Sequence, residues 1–210
     1  MSCHKNEIRI VYWNANGIQN KIHELYNFML VNFVDVSCVC ETFLKSHHLL
    51  PAHPQFTIYR HDRDDNIRKG GVLIIVRKSV PHQLLSNIQC SLVENIGIEI
   101  ATTNSKIQFI SCYLPGGSNN QQIRNLFLND LRQLTHRGNF RHCPNYYALG
   151  DFNSKHRFWG CHRANLAGNI LYNEFNQSNF DIIYPLDHSY HPSDANRSSS
   201  TPDIGLTNCS

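Results

Sequence analysis

Apolar residues recur along this chain in two alternating rhythms. Residues 8–13, Ile-Arg-Ile-Val-Tyr-Trp, predict a mostly buried strand that stops at the turn-forming Asn14-Ala15-Asn16-Gly17. Ile22, Leu25, Tyr26 and Met29 follow at i, i+3, i+4 and i+7, which places them on one face of a helix. Residues 34–40 alternate like a second strand and stop at Glu41. A polar stretch separates these from Gly71-Val72-Leu73-Ile74-Ile75-Val76, which reads as another buried strand.

Ile96-Gly97-Ile98-Glu99-Ile100 and residues 107–113 predict two strands joined as a hairpin through residues 102–106, the second ending at Leu114-Pro115-Gly116-Gly117. Ile123, Leu126, Phe127, Leu131 and Leu134 give the clearest helical stripe, over residues 119–136. Tyr146-Tyr147-Ala148-Leu149 predicts a short strand ending at Gly150-Asp151. A weaker helix over residues 166–178 leads to Asp181-Ile182-Ile183, and Asp203-Ile204-Gly205-Leu206 opens a last strand. Residues 192–200, rich in Ser, Asn and Asp, read as a surface loop. Hairpins interleaved with strand–helix–strand units predict an α/β fold of mixed sheets covered by helices.

Composition narrows the class. With 210 residues, 41% apolar and 17% charged, the chain suits one domain, residues 1–210, with a substantial core. No apolar run approaches the ~18 residues of a membrane helix, and no signal peptide is visible, so an intracellular setting without a membrane partner is expected. The net charge of +3 permits an anionic partner without demanding one. Eight cysteines occur without a Cys-x-x-Cys pair, and Cys38, Cys40 and Cys112 fall in apolar runs, where they serve as core filler.

The informative feature is positional. Asn14, Glu41, Tyr113 and Asp151 each stand where a strand-like run ends. If those strands end together, four polar groups converge on one rim, where α/β folds build their sites.

Trp13-Asn14-Ala15-Asn16-Gly17-Ile18, Glu41-Thr42, Gly70-Gly71-Val72, Tyr113-Leu114-Pro115, Gly150-Asp151-Phe152-Asn153 and Ser200-Thr201-Pro202-Asp203-Ile204 appear in that order. Together they resemble the endonuclease domain of jockey-like non-LTR retrotransposons, within the endonuclease/exonuclease/phosphatase superfamily. The string over residues 150–160, Gly-Asp-Phe-Asn-Ser-Lys-His-x-x-Trp-Gly, resembles the mobile-element branch. The resemblance implies a DNase I-like four-layered α/β sandwich of two mixed sheets flanked by helices, with the site at the strand ends.

It also implies roles. Glu41 is the expected ligand of Mg2+, or of Mn2+ in its place; an exposed carboxylate facing Lys45 is the plain alternative. Asn14 would orient Glu41, the metal's water or a phosphate oxygen, while Asn16 serves equally as a turn residue. Asp151 is the expected general base and Asn153 its neighbour on the scissile phosphate, with Gly150 allowing close backbone approach. Tyr113 would donate its phenol proton to phosphate, and Asp203 resembles the carboxylate that orients a later histidine. Arg63, among Arg60, His61, Arg68 and Lys69, and His156 are candidate DNA contacts, as are Arg137 and Arg141; solvated charge or surface packing is the alternative for each.

The sequence departs from the family pattern at its end. The Ser-Asp-His segment expected beyond Asp203 is not found before Ser210, so the last strands are expected to be missing. Three functions follow: a DNA endonuclease whose 3′-hydroxyl product primes a reverse transcriptase domain of the same polyprotein, in nucleus and cytoplasm; a catalytically impaired remnant with weak DNA binding; or a phosphoesterase acting on inositol phosphates or phospholipid head groups.

Overall fold

Two mixed β-sheets pack face to face in the computed structural model, which describes residues 7–63, 69–86, 88–102, 105–116, 121–135, 145–193 and 198–209. The first sheet contains β1 (Ile10–Asn14), β2 (Val36–Cys40), β4 (Val72–Arg77) and β3 (Phe56–His61), side by side in that order. β1 and β2 are parallel, and β4 runs antiparallel to both β2 and β3. The second sheet is ordered β5 (His82–Leu84), β6 (Glu94–Ala101), β7 (Lys106–Tyr113), β8 (Asn145–Asp151), β10 (Asp203–Thr207) and β9 (Asp181–Ile183). Only its β7–β8 pair is parallel.

Side-chain alternation sorts the core into three seams. Val36, Cys38, Cys40, Val72, Ile74 and Val76 point inward against Ile96, Ile98, Ile100, Phe109 and Tyr113 of the other sheet. The opposite face of the first sheet, with Val39, Leu73 and Ile75, is covered by α1 (Ile22–Val31) through Ile22, Leu25, Tyr26 and Met29, the four positions predicted from helical spacing. On the far face of the second sheet, Ile110, Cys112, Ala148, Ile204 and Leu206 meet Phe127, Leu131 and Leu134 of α2 (Gln121–Thr135) and Ile170 and Leu171 of α3 (Leu166–Phe175). The predicted four-layered α/β sandwich is therefore observed. Cover on both faces, from α1 on one side and the second sheet on the other, explains why β2 is buried at every position although its sequence alternates.

Several expectations change in detail. β3 lies within the stretch read as polar, and β5 in a segment to which the sequence assigns no element; Phe56-Thr57-Ile58-Tyr59 carries the alternating pattern of a half-buried strand that the neighbouring charges obscure. Arg60 and His61 thus belong to a strand, with Asp62 and Arg63 just beyond it. β1 is only half-buried because it has one strand neighbour among the described residues. α3 ends at Phe175, before the expected limit. Cys38, Cys40, Cys112 and Cys161 are buried and in no disulfide, while Arg68, Arg137 and Arg141 lie outside the described residues.

One polar group on α2 is structural. Asp130, fully buried, accepts the backbone N–H groups of Ser91, Leu92 and Val93 at 2.7, 2.6 and 2.9 Å. Charged acceptors make such bonds stronger than neutral ones, so Asp130 pins the segment entering β6.

Gly150 lies between Cys112 of β7 and Ile204 of β10, and a Cβ there would run into the Cys112 carbonyl. Gly150→Ala is expected to cost roughly 1–3 kcal/mol by overpacking, which at about 2–4 °C per kcal/mol lowers the melting temperature by ~2–12 °C. Thermal unfolding followed by circular dichroism checks this.

Candidate active site

Strand parity aims the polar residues at one another. Asn14 continues the inward face of β1 that carries Ile10 and Tyr12, while Val11 and Trp13 point to α1. Across the second sheet, Tyr113, Asp151 and Asp203 stand side by side, because Tyr113 pairs with Asp151 and Asp151 pairs with Asp203. The two rows meet at one end of the sandwich. Asn14 Nδ2 donates to Asp151 Oδ2 at 3.0 Å, and Tyr12 donates its phenol proton to Asp203 Oδ1 at 2.8 Å. The hydroxyl of Tyr113 hydrogen-bonds with Glu41.

The loops complete the arrangement. Asn14 Oδ1 accepts the Asn16 N–H at 3.1 Å, closing the turn in which Asn16 takes φ 42°. One amide end of Asn14 thus shapes the turn while the other holds Asp151. Lys21 Nζ fastens the same turn by donating to the Ala15 carbonyl at 2.6 Å. Asn153, at φ 45°, donates its backbone N–H to Asp151 Oδ1 at 2.8 Å and its amide to the Leu114 carbonyl at 2.9 Å. Its backbone therefore orients Asp151 while its side chain ties β8 to the end of β7.

Electrostatics set Asp151 apart. Burial, followed by the charges of Asp203 and Glu41, lifts its carboxyl to about 7 against the opposing hydrogen bonds from Asn153 and Asn14. Burial, then Glu41 and Asp151, pushes the Tyr113 phenol far above its ordinary range, so it keeps its proton as a donor. Among the described residues no Lys, Arg or His forms an ion pair with Glu41, Asp151 or Asp203. Nor do three His, Cys, Asp or Glu side chains converge closely enough to enclose a metal by themselves. An all-oxygen set with uncompensated negative charge fits a hard cation such as Mg2+, which takes few carboxylates and retains water and phosphate oxygens.

Tyr12 and Cys40 were not singled out from the sequence. Cys40 Sγ lies 2.9 Å from the Tyr12 hydroxyl, and burial is the main cause that raises both groups well above their ordinary pKa ranges. The signal for Tyr12 was its parity with Asn14. Asp203 meets Tyr12 where the resemblance expects a histidine partner. The ring of His156 stacks on Tyr172 at 4.1 Å and caps the 3-10 turn Arg157–Trp159 by accepting the Phe158 N–H at 3.2 Å. Arg63 sits 3.4 Å from Glu94 Oε1 and lines a cleft of about 610 Å³ together with His61, Lys155 and Asn153.

The raised Asp151 pKa has a consequence for the metal-free protein. In an unfolded chain an Asp ionises near about pH 4, whereas in the native site Asp151 holds its proton to about 7. Its contribution to stability is fully present below the unfolded value and is lost as pH rises through the native one. Asp151→Asn removes this titration, so its melting temperature relative to wild type is expected to rise between about pH 4 and pH 7 and level off above. A difference independent of pH contradicts the crowded carboxylates.

Residues 11–207 match the Endonuclease/Exonuclease/phosphatase family. The RNA-directed DNA polymerase from mobile element jockey of Drosophila funebris is 25% identical over 190 residues, covering 88% of this chain and 19% of that protein. The probable RNA-directed DNA polymerase from transposon X-element of Drosophila melanogaster is 27% identical over 177 residues, covering 84% of this chain and 18% of that protein. The chain thus spans about a fifth of the length of these curated relatives. Among solved structures, the endonuclease domain of TRAS1, a telomere-specific non-LTR retrotransposon, shares the fold at TM-score 0.71 and 13% identity, covering 97% of this chain and 86% of that one. AP endonuclease LMAP from Leishmania major shares it at TM-score 0.74 and 13% identity, covering 96% and 79%. With its fold, its strand-end site and this match over nearly the whole chain, the protein is a member of the Endonuclease/Exonuclease/phosphatase family.

Proposed function

We propose that this chain is a DNA endonuclease domain of retrotransposon type, which hydrolyses one phosphodiester and leaves a 3′-hydroxyl. The observation that carries the reading is the convergence of Asn14, Glu41, Tyr113, Asp151 and Asp203 where the two sheets meet, in a chain similar to jockey-type proteins. The 3′-hydroxyl would prime a reverse transcriptase domain of the same polyprotein, since the relatives are named as RNA-directed DNA polymerases. Such a product would be made in the cytoplasm and act on chromosomal DNA in the nucleus.

Asp151 takes a proton from the attacking water, and its lifted pKa makes the carboxylate a stronger base than an exposed Asp. Asn14 on Oδ2 and the Asn153 N–H on Oδ1 fix the direction in which it receives that proton. Tyr113 keeps its phenol proton and donates a hydrogen bond to a phosphate oxygen as charge grows there. Glu41, with the Asn14 carbonyl, would hold Mg2+ or Mn2+, and the cation supplies Lewis-acid stabilisation of the phosphate. Asp203, held by Tyr12, lies beside Asp151 and helps to keep its basicity high. Arg63 and Lys155 present positive charge along the adjoining cleft and would seat neighbouring DNA phosphates.

Nicking of supercoiled plasmid tests the reading. Glu41→Ala and Asp151→Ala are each expected to slow nicking by at least about 10²-fold. Chelation should stop the reaction, added Mg2+ or Mn2+ should restore it, and a DNA polymerase should extend the nick without prior phosphatase treatment. Wild-type rates in either variant, or a 3′-phosphate at the nick, overturn the proposal.

A further inference from the structure

Glu41 occupies the left-handed backbone region at φ 49°, and Phe43 does so at 57°. Such positions are strained for residues with a side chain and persist only where the surroundings over-determine them. Here the grip comes from two sides. Gly17 N–H donates to the Glu41 carbonyl at 2.8 Å, and Ile18 N–H to the Thr42 carbonyl at 3.1 Å. Opposite, Thr42 N–H donates to the Gly71 carbonyl at 3.2 Å, and Phe43 N–H to the Gly70 carbonyl at 3.0 Å.

The Gly70-Gly71 side of this grip needs its own anchor. Both glycines are left-handed, at φ 105° and 84°, where other residues are strained. A Cβ on Gly71 would collide with Thr42 Oγ1, and one on Gly70 would lie 2.7 Å from Glu94 Oε1. Glu94, the first residue of β6 in the opposite sheet, accepts the Gly71 N–H on Oε2 at 2.5 Å. Its register partner is Tyr113, whose hydroxyl meets Glu41. The segment entering Glu94 is itself pinned by Asp130.

We infer that Glu94 is a positioning residue for the cation site: by holding the Gly71 N–H it fixes the backbone that keeps Glu41 in its left-handed turn. The inference rests on the proposed role of Glu41 as the cation ligand. Groups that orient metal ligands in this way typically change affinity or activity by about 10–100-fold when removed. The geometry, not the negative charge, is the active element.

The test titrates Mn2+ into the DNA-free chain by calorimetry and measures plasmid nicking, for wild type, E41A, E94A, E94D and E94Q. E94A is expected to weaken Mn2+ binding and to lower kcat by about 10–100-fold, with a KM for DNA no higher than that of wild type, since it also frees Arg63 in the cleft. E94D keeps the charge but withdraws the oxygen from Gly71 and should resemble E94A. E94Q keeps an oxygen at the right distance without the charge and should recover most of both quantities. If E94A does not fold, the contrast between E94D and E94Q decides. The inference is overturned if E94A or E94D binds Mn2+ and turns over like wild type while E41A loses both. It is equally overturned if E94Q is as impaired as E94D, since charge would then matter more than reach. If E41A itself binds Mn2+ as wild type does, the metal role of Glu41 fails, and this inference fails with it.

Discussion

The site depends on one hydrogen bond across the seam between the sheets, from the Asn14 amide to the Asp151 carboxylate. Asp151 is nearly fully buried and stands beside two other carboxylates, an arrangement that favours its protonated form. The Asn14 amide and the Asn153 N–H oppose that tendency without adding positive charge. The carboxylate can thus remain basic and still face one fixed direction. A lysine in the place of Asn14 would hold Asp151 ionised and weaken it as a base.

The rest of the fold serves this placement. Inward-facing positions of β1, β7 and β8 are mostly apolar along the seam and end in Asn14, Tyr113 and Asp151 at one end of the sandwich. There the backbone leaves the sheet through left-handed residues at Asn16, Glu41 and Asn153, each clamped by hydrogen bonds from neighbouring loops. Rigid strands fix the row Tyr113, Asp151 and Asp203, while the loops supply Glu41 and the backbone donors. Loops held this way can bear strain because the sandwich beneath them does not yield.

The neighbouring cleft has a different chemistry. Leu114, Ile123, Phe127 and Ile170 make part of its wall, and Arg63 and Lys155 lend it positive charge. Glu94 belongs to both regions, since it meets Arg63 on one oxygen and Gly71 on the other. A carboxylate in a cleft facing a polyanion would be unfavourable for binding alone. Its bond to Gly71 gives it a structural reason to be there.

Much of this was legible in the sequence. Helical spacing located Ile22, Leu25, Tyr26 and Met29, and the ends of apolar runs located Asn14, Glu41, Tyr113 and Asp151, because local periodicity records which face of an element is buried. β3 escaped notice because its alternation is interrupted by Arg60 and His61, whose partners come from other segments: the Arg60 guanidinium donates to the His48 carbonyl, and the His61 ring meets the Asn95 carbonyl of β6. Tyr12, Cys40 and Glu94 looked like ordinary strand residues, and only sheet packing gives them neighbours more than fifteen positions away. The chain itself determined which residues are inward-facing and where strands stop, since those depend on period and on turn chemistry. Tertiary structure alone decided which stops coincide, because crowding three carboxylates at one seam depends on sheet order and register, and neither is written in any local stretch.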